Sequence, residues 1–418
     1  MPHFAKWSLQ NKELFISLLR CFIPKMESFY RTHKYLVEHL NMPVHRQLMD
    51  EIDWNDRLIG IKGTRGVGKT TFLLGYAKQK FGTDRSCLYV NMNHFYFTQH
   101  NLLEFAKQFC QRGGKTLLID QVFKYPDWSK ALREVYEKCP DLHIVFSGSS
   151  VIRLKEDNSY LVDVVKSYNL RGFSFREYLN LMAGTDFPNY DFDELLENNE
   201  QISAEILSKV NPLDYFQDYI HHGYYPFFLE KRNFSENLLK TMNMMIEVDV
   251  LIIKQIDLKY LPKIRELLYL LGIDAPCVPN ISHLSNEIEI SRATVMNYIK
   301  YLKDARLIDM LYPVGDCFPK KPSRIYLHNT NLMYVLQDKV KINRQALCET
   351  FFYNTTHRDN KINQGKKNSQ FILNGDRTFQ VCSGKMNGKQ NPDIWYAQDN
   401  IASGHDNVIP LWLFGFSY

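Results

Sequence analysis

The sequence predicts an α/β protein whose main domain is built on a parallel sheet, followed by helical and smaller α+β regions. Two observations support this fold class. Between residues 57 and about 172, β-rich runs alternate with helix-like runs, a pattern typical of parallel strands joined by helices. A glycine-rich loop also separates the first β-rich run from the first helical run. A sheet of this kind has its binding crevice at the carboxyl ends of its strands.

The elements of this domain follow from the local pattern. The predicted strands are 57–62, 86–91, 115–120, 142–147 and 167–170, and the predicted helices are 69–80, 101–112 and 127–138. Residues 8–50 also look helical, with a break at Asn41-Met42-Pro43. This first segment either packs on the main domain or forms part of a pocket, and the sequence leaves both open. Its apolar run 15–23 is too short to span a bilayer, and we expect no signal peptide.

The loop has the sequence Gly63-Thr64-Arg65-Gly66-Val67-Gly68-Lys69-Thr70, which fits G-x-x-x-x-G-K-[ST]. Its glycines allow the backbone N–H groups to point at phosphate oxygens, and the next helix presents its positive end to the same anion. Lys69 is expected to contact the β- and γ-phosphates, and Thr70 to give its hydroxyl to Mg²⁺. The predicted nucleotide-binding residues are Gly63, Thr64, Arg65, Gly66, Val67, Gly68, Lys69, Thr70 and Thr71.

The ends of two further strands carry polar residues that suit the same chemistry. The apolar run Lys115–Ile119 ends in Asp120, whose carboxylate is expected to hold Mg²⁺ opposite the loop, as a Walker B aspartate does. The next predicted strand ends in Ser147. Its hydroxyl either contacts the γ-phosphate or the attacking water, or it caps a helix, since Ser is also a preferred N-cap residue.

Three segments together resemble the prokaryotic AAA-family ATP-binding proteins: GIKGTRGVGKTTFLL, LLIDQVFKYPDWSKALREVYEKCPDLHIVFSGSS and LRGFSFREYLNL. The terminal segment IPLWLFGFSY is also similar to the end of that family. The resemblance implies an ATPase core of the additional-strand type, a winged helix and a nuclease-like fold that is often degenerate. We therefore expect an N-terminal helical segment (1–50), an ATPase domain (51–182), a helical lid-like region (183–263), a winged helix (264–318) and a degenerate nuclease-like α+β domain (319–418).

The position after Asp120 departs from the family pattern. Gln121 stands where the family usually has a glutamate that orients or activates water. An amide is not a proton acceptor at neutral pH, so we expect ATP binding with slow or absent hydrolysis. A glutamine can still orient a water, and turnover therefore stays open. Arg153, Arg171 and Arg176 are candidates for an arginine finger, and Arg171 joins Gln121 and Ser147 in the predicted catalytic set.

Residues 282–288, 289–290 and 291 onward have the pattern of a helix, a turn and a second helix, and 307–312 suits a wing strand. In a DNA reader the start of the second helix meets base edges, which would involve Arg292, Thr294, Asn297 and Lys300. DNA binding through residues 282–304 is one expectation. A lid or a protein contact is the alternative.

The C-terminal hundred residues lack the carboxylates that a nuclease needs. In the family pattern Glu349 matches the helical acid, but Gln370 and Gln380 replace the expected Asp and Glu, and Lys385 is displaced by three residues. Two amides do not replace two carboxylates on a hard cation, so we predict no nuclease activity. The polar, basic residues 355–369 are expected to form an exposed loop.

The composition adds few constraints. A net charge of +5 on 418 residues does not by itself imply a nucleic-acid partner, and the eight cysteines show no zinc-ligand spacing. Reduced thiols fit a cytoplasmic protein. The sequence therefore predicts an ATP- and Mg²⁺-binding AAA-type ATPase acting as a nucleotide-dependent switch. The alternative is a non-hydrolysing ATP-bound scaffold or DNA-binding regulator, and a protein partner or homo-oligomer is open.

Overall fold

The computed structural model describes residues 26–151, 160–230, 232–251, 254–338, 342–366, 369–386 and 390–418. The predicted helical residues 8–25 and the candidate Arg153 lie outside these ranges. Among the described residues, no helix combines the length and the apolar character that crossing a bilayer requires.

The first domain contains a five-stranded parallel sheet. Its strands are β1 (Leu58–Gly63), β2 (Cys87–Asn91), β3 (Thr116–Asp120), β4 (His143–Ser149) and β5 (Lys166–Asn169). They lie in the order β2-β3-β4-β1-β5, and every neighbouring pair is parallel. Strand β4 therefore separates the strand before the glycine loop from the strand that ends in Asp120. This is the additional-strand arrangement, and the predicted α/β fold class is confirmed.

Helices cover both faces of the sheet because strands β1 to β4 are buried along most of their length, whereas the edge strand β5 is partly exposed. The helices of this part are α1 (26–38), α2 (Leu48–Glu51), α3 (Lys69–Lys80), α4 (Leu102–Gln111) and α5 (Trp128–Lys138). In β2, Leu88 and Val90 belong to one core, whereas Tyr89 belongs to the other. Helix α1 joins the first of these cores through Phe29 and Tyr30. The alternation follows the two-residue period of a strand.

A long helical region follows the sheet. Its elements are α6 (Phe175–Ala183), α7 (Phe192–Glu197), α8 (Asn199–Leu207), α9 (Leu213–Asp218), a π-helical turn (Tyr219–Gly223), a 3₁₀ turn (Pro226–Glu230), α10 (Phe234–Met244), a second π-helical turn (Met245–Val250) and α11 (Leu261–Gly272). Two of its turns, Pro226–Glu230 and Met245–Val250, reach the end of the sheet that carries the glycine loop.

The predicted helix-turn-helix elements lie where the sequence places them. Helix α12 (Ile281–Glu287) and helix α13 (Arg292–Asp304) precede an antiparallel pair, β6 (Ile308–Leu311) and β7 (Arg324–Leu327). The hydroxyl of Ser291 caps α13 by accepting the Thr294 N–H at 3.1 Å. The assignment of this unit as a winged helix stays a prediction.

The C-terminal part is a mixed sheet packed on a helix. Its elements are α14 (Thr330–Leu336), α15 (Arg344–Thr356), β8 (Ile362–Gln364), β9 (Phe371–Leu373), β10 (Arg377–Cys382), β11 (Ile394–Gln398) and β12 (Val408–Pro410). The strand order is β12-β11-β10-β9-β8, with the β10-β11-β12 pairs parallel and the others antiparallel.

The expected exposed loop at 355–369 is wrong in two places. Thr355 and Thr356 are buried at the end of α15, and residues 362–364 form β8. Both threonine hydroxyls donate to carbonyls one turn earlier, at 3.0 Å for Thr355 and 2.6 Å for Thr356. Because the helix itself satisfies these polar groups, they can be buried despite the polar composition of the segment.

Candidate nucleotide-binding site

The glycine loop forms a tight cradle between β1 and α3. Gly66 and Gly68 have φ values of 88° and 91°, in the left-handed region that favours glycine. A Cβ on Gly63 would lie 2.5 Å from the carbonyl oxygen of Leu170. The loop therefore needs glycine at all three positions, for backbone conformation at two and for close packing at the third.

Lys69 is held inside this cradle by the loop itself. Its ammonium donates to the carbonyl oxygens of Gly63 at 2.9 Å and Thr64 at 2.7 Å. Desolvation lowers the pKa of Lys69 to about 8, and the carboxylates of Asp249 and Asp120 oppose that shift. The charge that would meet a phosphate is thus enclosed by the loop.

The loop opens onto a cleft of about 530 Å³, which we call the nucleotide cleft. Six of the predicted binding residues line it: Arg65, Gly66, Gly68, Lys69, Thr70 and Thr71. Of the other three, Gly63 and Thr64 hold Lys69, and Val67 turns its side chain into the core.

Asp120 faces the start of α3 across the cleft. Its Oδ2 accepts hydrogen bonds from the hydroxyl of Thr70 at 2.7 Å and from the phenol of Tyr89 at 2.8 Å. The amide of Asn91 lies 3.4 Å from the same oxygen. Burial, and then the charge of Asp120, raise the pKa of Tyr89, so its phenol stays a donor. Tyr89 and Asn91 were not predicted from the sequence, although both lie on β2, directly beside β3.

Ser147 binds the other oxygen of the same carboxylate. Its hydroxyl donates to Asp120 Oδ1 and accepts the Gln121 N–H at 3.0 Å. It lies inside β4 rather than at a helix start, so it is not a helix N-cap. The structure places Ser147 as a support for Asp120, and a contact with the γ-phosphate stays a prediction.

Gln121 lines the cleft with a left-handed backbone, φ 53° and ψ 47°. Such a conformation is unfavourable for a residue other than glycine by roughly 1 kcal/mol or more. It turns the Gln121 N–H back onto Asp120 and Ser147. Gln121 therefore lies in the wall of the nucleotide cleft, and its role in orienting a water stays a prediction.

Arg171 is not in the nucleotide cleft. Its guanidinium donates to the Asn354 carbonyl at 3.3 Å and lies 2.8 Å from Nε2 of His357. Arg176 is also buried elsewhere, with its side chain donating to the Tyr418 and Phe187 carbonyls. The structure therefore does not support the predicted catalytic role of Arg171 in this cleft, because neither arginine lines it.

Two other arginines line the cleft instead. Arg46 donates to the Val67 carbonyl at 3.1 Å and to the Arg171 carbonyl at 2.6 Å, and it also bonds Glu177. Residues 41–44 line the cleft beside it. The N-terminal segment thus does both things that the sequence left open: α1 packs on the sheet, and the residues after it form a wall of the pocket.

The second arginine, Arg65, is paired with a carboxylate from the helical region. Its Nη2 lies 3.0 Å from Oδ1 of Asp249, whose side chain is only 4% exposed. Burial raises the pKa of Asp249, while Arg65, Lys69 and Lys124 oppose the shift. No sequence pattern singled out Asp249, which lies in an apolar run and is 184 residues from Arg65 along the chain.

A second cleft, of about 480 Å³, lies on the C-terminal sheet, and we call it the C-terminal cleft. Its lining includes Gln345, Gln370, Gln380 and Lys385 but no carboxylate among the described residues. Glu349 is not in that lining; its carboxylate accepts hydrogen bonds from Arg324 at 2.8 Å, Tyr326 at 3.2 Å and Gln345 at 3.0 Å.

Comparison with known families agrees with the interpretation of the nucleotide cleft. Residues 55–179 match the family model described as an AAA domain. This part of the chain is therefore an AAA domain, a P-loop ATPase fold. Residues 213–341 match a domain of unknown function. This range contains the turns Pro226–Glu230 and Met245–Val250, which reach the end of the sheet that carries the glycine loop.

Two relatives from Methanocaldococcus jannaschii, both called uncharacterized proteins, resemble most of the chain. One is 27% identical over 310 residues, covering 70% of this chain and 64% of its own length. The other is 24% identical over 415 residues, covering 86% and 88%. The chain thus spans less than two thirds of the length of the first relative.

Solved AAA-type structures are also similar, but with lower sequence identity and with low TM-scores. A Thermotoga maritima RuvB variant is 16% identical with a TM-score of 0.27, covering 61% of this chain and 82% of its own. AMPPCP-bound DnaA from Aquifex aeolicus is 14% identical with a TM-score of 0.24, covering 65% and 86%. At these TM-scores the assignment depends on the family match and on the geometry of the loop.

Proposed function

We propose that this chain binds ATP with Mg²⁺ in the nucleotide cleft and acts as a nucleotide-dependent switch with slow hydrolysis. One observation carries the proposal: Thr70 and Asp120, from two separate elements, meet at 2.7 Å beside a loop that encloses Lys69. A hydroxyl and a carboxylate are the hard oxygen ligands that Mg²⁺ prefers. The glycine cradle and the cleft arginines fit a polyphosphate.

The residues divide the work as follows. Lys69 would exchange its two carbonyl partners for phosphate oxygens, and the loop N–H groups would bind the same anion. Thr70 and Asp120 would hold the metal, which when bound neutralises charge on the phosphates. Tyr89 and Ser147 fix the Asp120 carboxylate. Gln121 can orient a water but cannot take its proton, which supports slow turnover.

The test measures ATP binding and phosphate release on the full chain. Lys69→Ala is expected to abolish both, because it removes the enclosed cation. Lys80→Ala, at the exposed end of the same helix, is the matched control and should leave both unchanged. Binding without phosphate release would favour the ATP-bound scaffold. No binding of any nucleoside triphosphate with Mg²⁺ would refute the proposal.

A second candidate function is DNA binding through residues 282–304. The observation that favours it is exposure: Arg292 and Asn297 of α13 are exposed, at the helix face that meets base edges in DNA readers. Fluorescence anisotropy with a DNA duplex, at two salt concentrations, tests it. Binding that Arg292→Ala weakens would support this role. The protein partner or second copy and the cytoplasmic location stay predictions.

A further inference from the structure

The helical region is seated on the glycine loop. The ring of Phe227 lies 3.0 Å from the position that a Cβ on Gly66 would take, and the Thr241 methyl lies 3.4 Å from it. Pro226 lies 3.8 Å from the same position on Gly68. The loop that would bind phosphate is thus covered by residues of the domain of unknown function.

The same region also supplies an anion to the cleft. Asp249 lines the nucleotide cleft from the turn Met245–Val250, and its carboxylate bonds Arg65 of the loop at 3.0 Å. Lys69 and Lys124 lie close enough to act on its charge. Arg65 thus bonds the buried carboxylate directly, and the charges of two lysines act on it from further away. In this class of loop, Lys69 is the cation that meets the β- and γ-phosphates.

We propose that Asp249 is a specificity-determining residue, whose carboxylate competes with the terminal phosphate of a nucleoside triphosphate. The inference rests on the proposed function and deepens it. A diphosphate leaves the Arg65–Asp249 pair in place. A triphosphate brings further negative charge toward a carboxylate that has little solvent to screen it, and it must displace Asp249 together with its turn. Binding of the triphosphate would then loosen the helical region from the loop.

The expected loss of affinity for the triphosphate follows from the repulsion between two like charges a few ångströms apart. At an effective dielectric constant of about 20, such repulsion corresponds to roughly tenfold or more in affinity. Removing the Asp249 charge should therefore tighten the triphosphate by at least that factor. The diphosphate should change by less than about threefold, because its phosphates lie within the loop rather than beside Asp249.

The experiment compares Kd values for Mg²⁺-ATP and Mg²⁺-ADP on the full chain and on Asp249→Asn. Glu247→Gln is the matched control, since Glu247 lies on the same turn but pairs with Arg265 at the surface. We expect the ATP-to-ADP affinity ratio to rise about tenfold or more in Asp249→Asn and to stay constant in Glu247→Gln. An unchanged ratio in a folded Asp249→Asn variant would overturn the inference.

A second measurement on the unmodified chain does not depend on the folding of a variant. Hydrogen exchange in residues 232–251 should become faster with Mg²⁺-ATP than with Mg²⁺-ADP. Slower exchange with ATP would mean that the triphosphate binds Asp249 into the site, which contradicts competition. If neither nucleotide binds any of the three proteins, the proposed function itself fails. That result is distinct from binding with an unchanged ratio.

Discussion

The nucleotide cleft and the C-terminal cleft are similar in volume, about 530 and 480 Å³, but opposite in chemistry. The first brings Lys69 and Arg65 together with the carboxylates of Asp120 and Asp249. The second is lined by glutamines and by Lys385. Volume alone therefore does not indicate a metal-dependent site in this molecule. The proposed Mg²⁺ site depends instead on carboxylates, which are oxygen ligands that a hard divalent cation favours.

Asp120 and Glu349 are both buried acids, and they differ in the groups that donate hydrogen bonds to them. The hydroxyls of Thr70 and Tyr89 donate to Asp120, and these neutral donors can rearrange around a cation. Glu349 instead receives the Arg324 guanidinium at 2.8 Å. A cation at Glu349 would have to displace a fixed positive charge. The comparison predicts metal chemistry at Asp120 and none at Glu349.

The strongest test of the comparison is Asp120→Asn. We expect phosphate release to fall by about 10²–10³, since a bound metal contributes several kcal/mol of charge stabilisation. The measurement is the rate of phosphate release as a function of Mg²⁺ concentration. Asp127→Asn is the control, because Asp127 is exposed at the start of α5 and does not line the nucleotide cleft. An unchanged rate in Asp120→Asn would remove the distinction between the clefts.

The next largest effect concerns the amide in the nucleotide cleft. Gln121→Glu replaces the amide by a carboxylate that can accept a proton at this position, and we expect phosphate release to rise by at least ~10-fold, because a general base typically contributes 10²–10⁴. Gln111→Glu, at the exposed end of α4, controls for the added charge. If turnover stays the same while ATP still binds, Gln121 already performs the catalytic role by orienting water.

The C-terminal cleft offers the converse experiment. Gln370→Glu combined with Gln380→Glu places two carboxylates in one cleft, and we expect a weak Mn²⁺ site with a Kd of roughly 1 mM. The parent chain should show no such binding in this cleft. Electron paramagnetic resonance of Mn²⁺, with Asp120→Asn added to both chains to remove the proposed metal ligand, separates it from the nucleotide cleft. Gln364→Glu, on the exposed side of β8, is the control. Tight Mn²⁺ binding by the C-terminal cleft of the parent would contradict the comparison.

The sequence predicted the parts of the nucleotide cleft that are local in the chain. The glycine loop, β1 and α3 adjoin each other, so spacing alone identifies them, and Asp120 ends a buried strand. The sequence did not predict Asp249 or Phe227, since no local pattern tells which distant turn covers a loop. Arg171 shows the same limit: its carbonyl faces Arg46 at the cleft, whereas its side chain faces α15. Only the packed fold decides between those directions.

The smallest expected effect comes from removing one hydrogen bond in the nucleotide cleft, the bond from Tyr89 to Asp120. Tyr89 is buried, and its phenol donates to Asp120 Oδ2 at 2.8 Å, beside the Thr70 hydroxyl. Tyr89→Phe removes that donor and keeps the ring. A hydrogen bond to a charged group is worth about 1.5–3 kcal/mol, so we expect the Mg²⁺ concentration for half-maximal phosphate release to change by roughly tenfold.

The dependence of phosphate release on Mg²⁺ concentration shows whether Tyr89 positions the Asp120 carboxylate or only stabilises the fold. If Tyr89 orients Asp120, nucleotide affinity without Mg²⁺ should stay the same while the Mg²⁺ requirement changes. Tyr168→Phe is the matched control, because the Tyr168 hydroxyl accepts from the Asp53 N–H at 3.3 Å on the edge strand, away from Asp120. Equal changes in both variants would mean that the phenol supports the sheet rather than the carboxylate. Asp120 would then owe its position to its other donors, among them the hydroxyls of Thr70 and Ser147 and the Gln121 N–H.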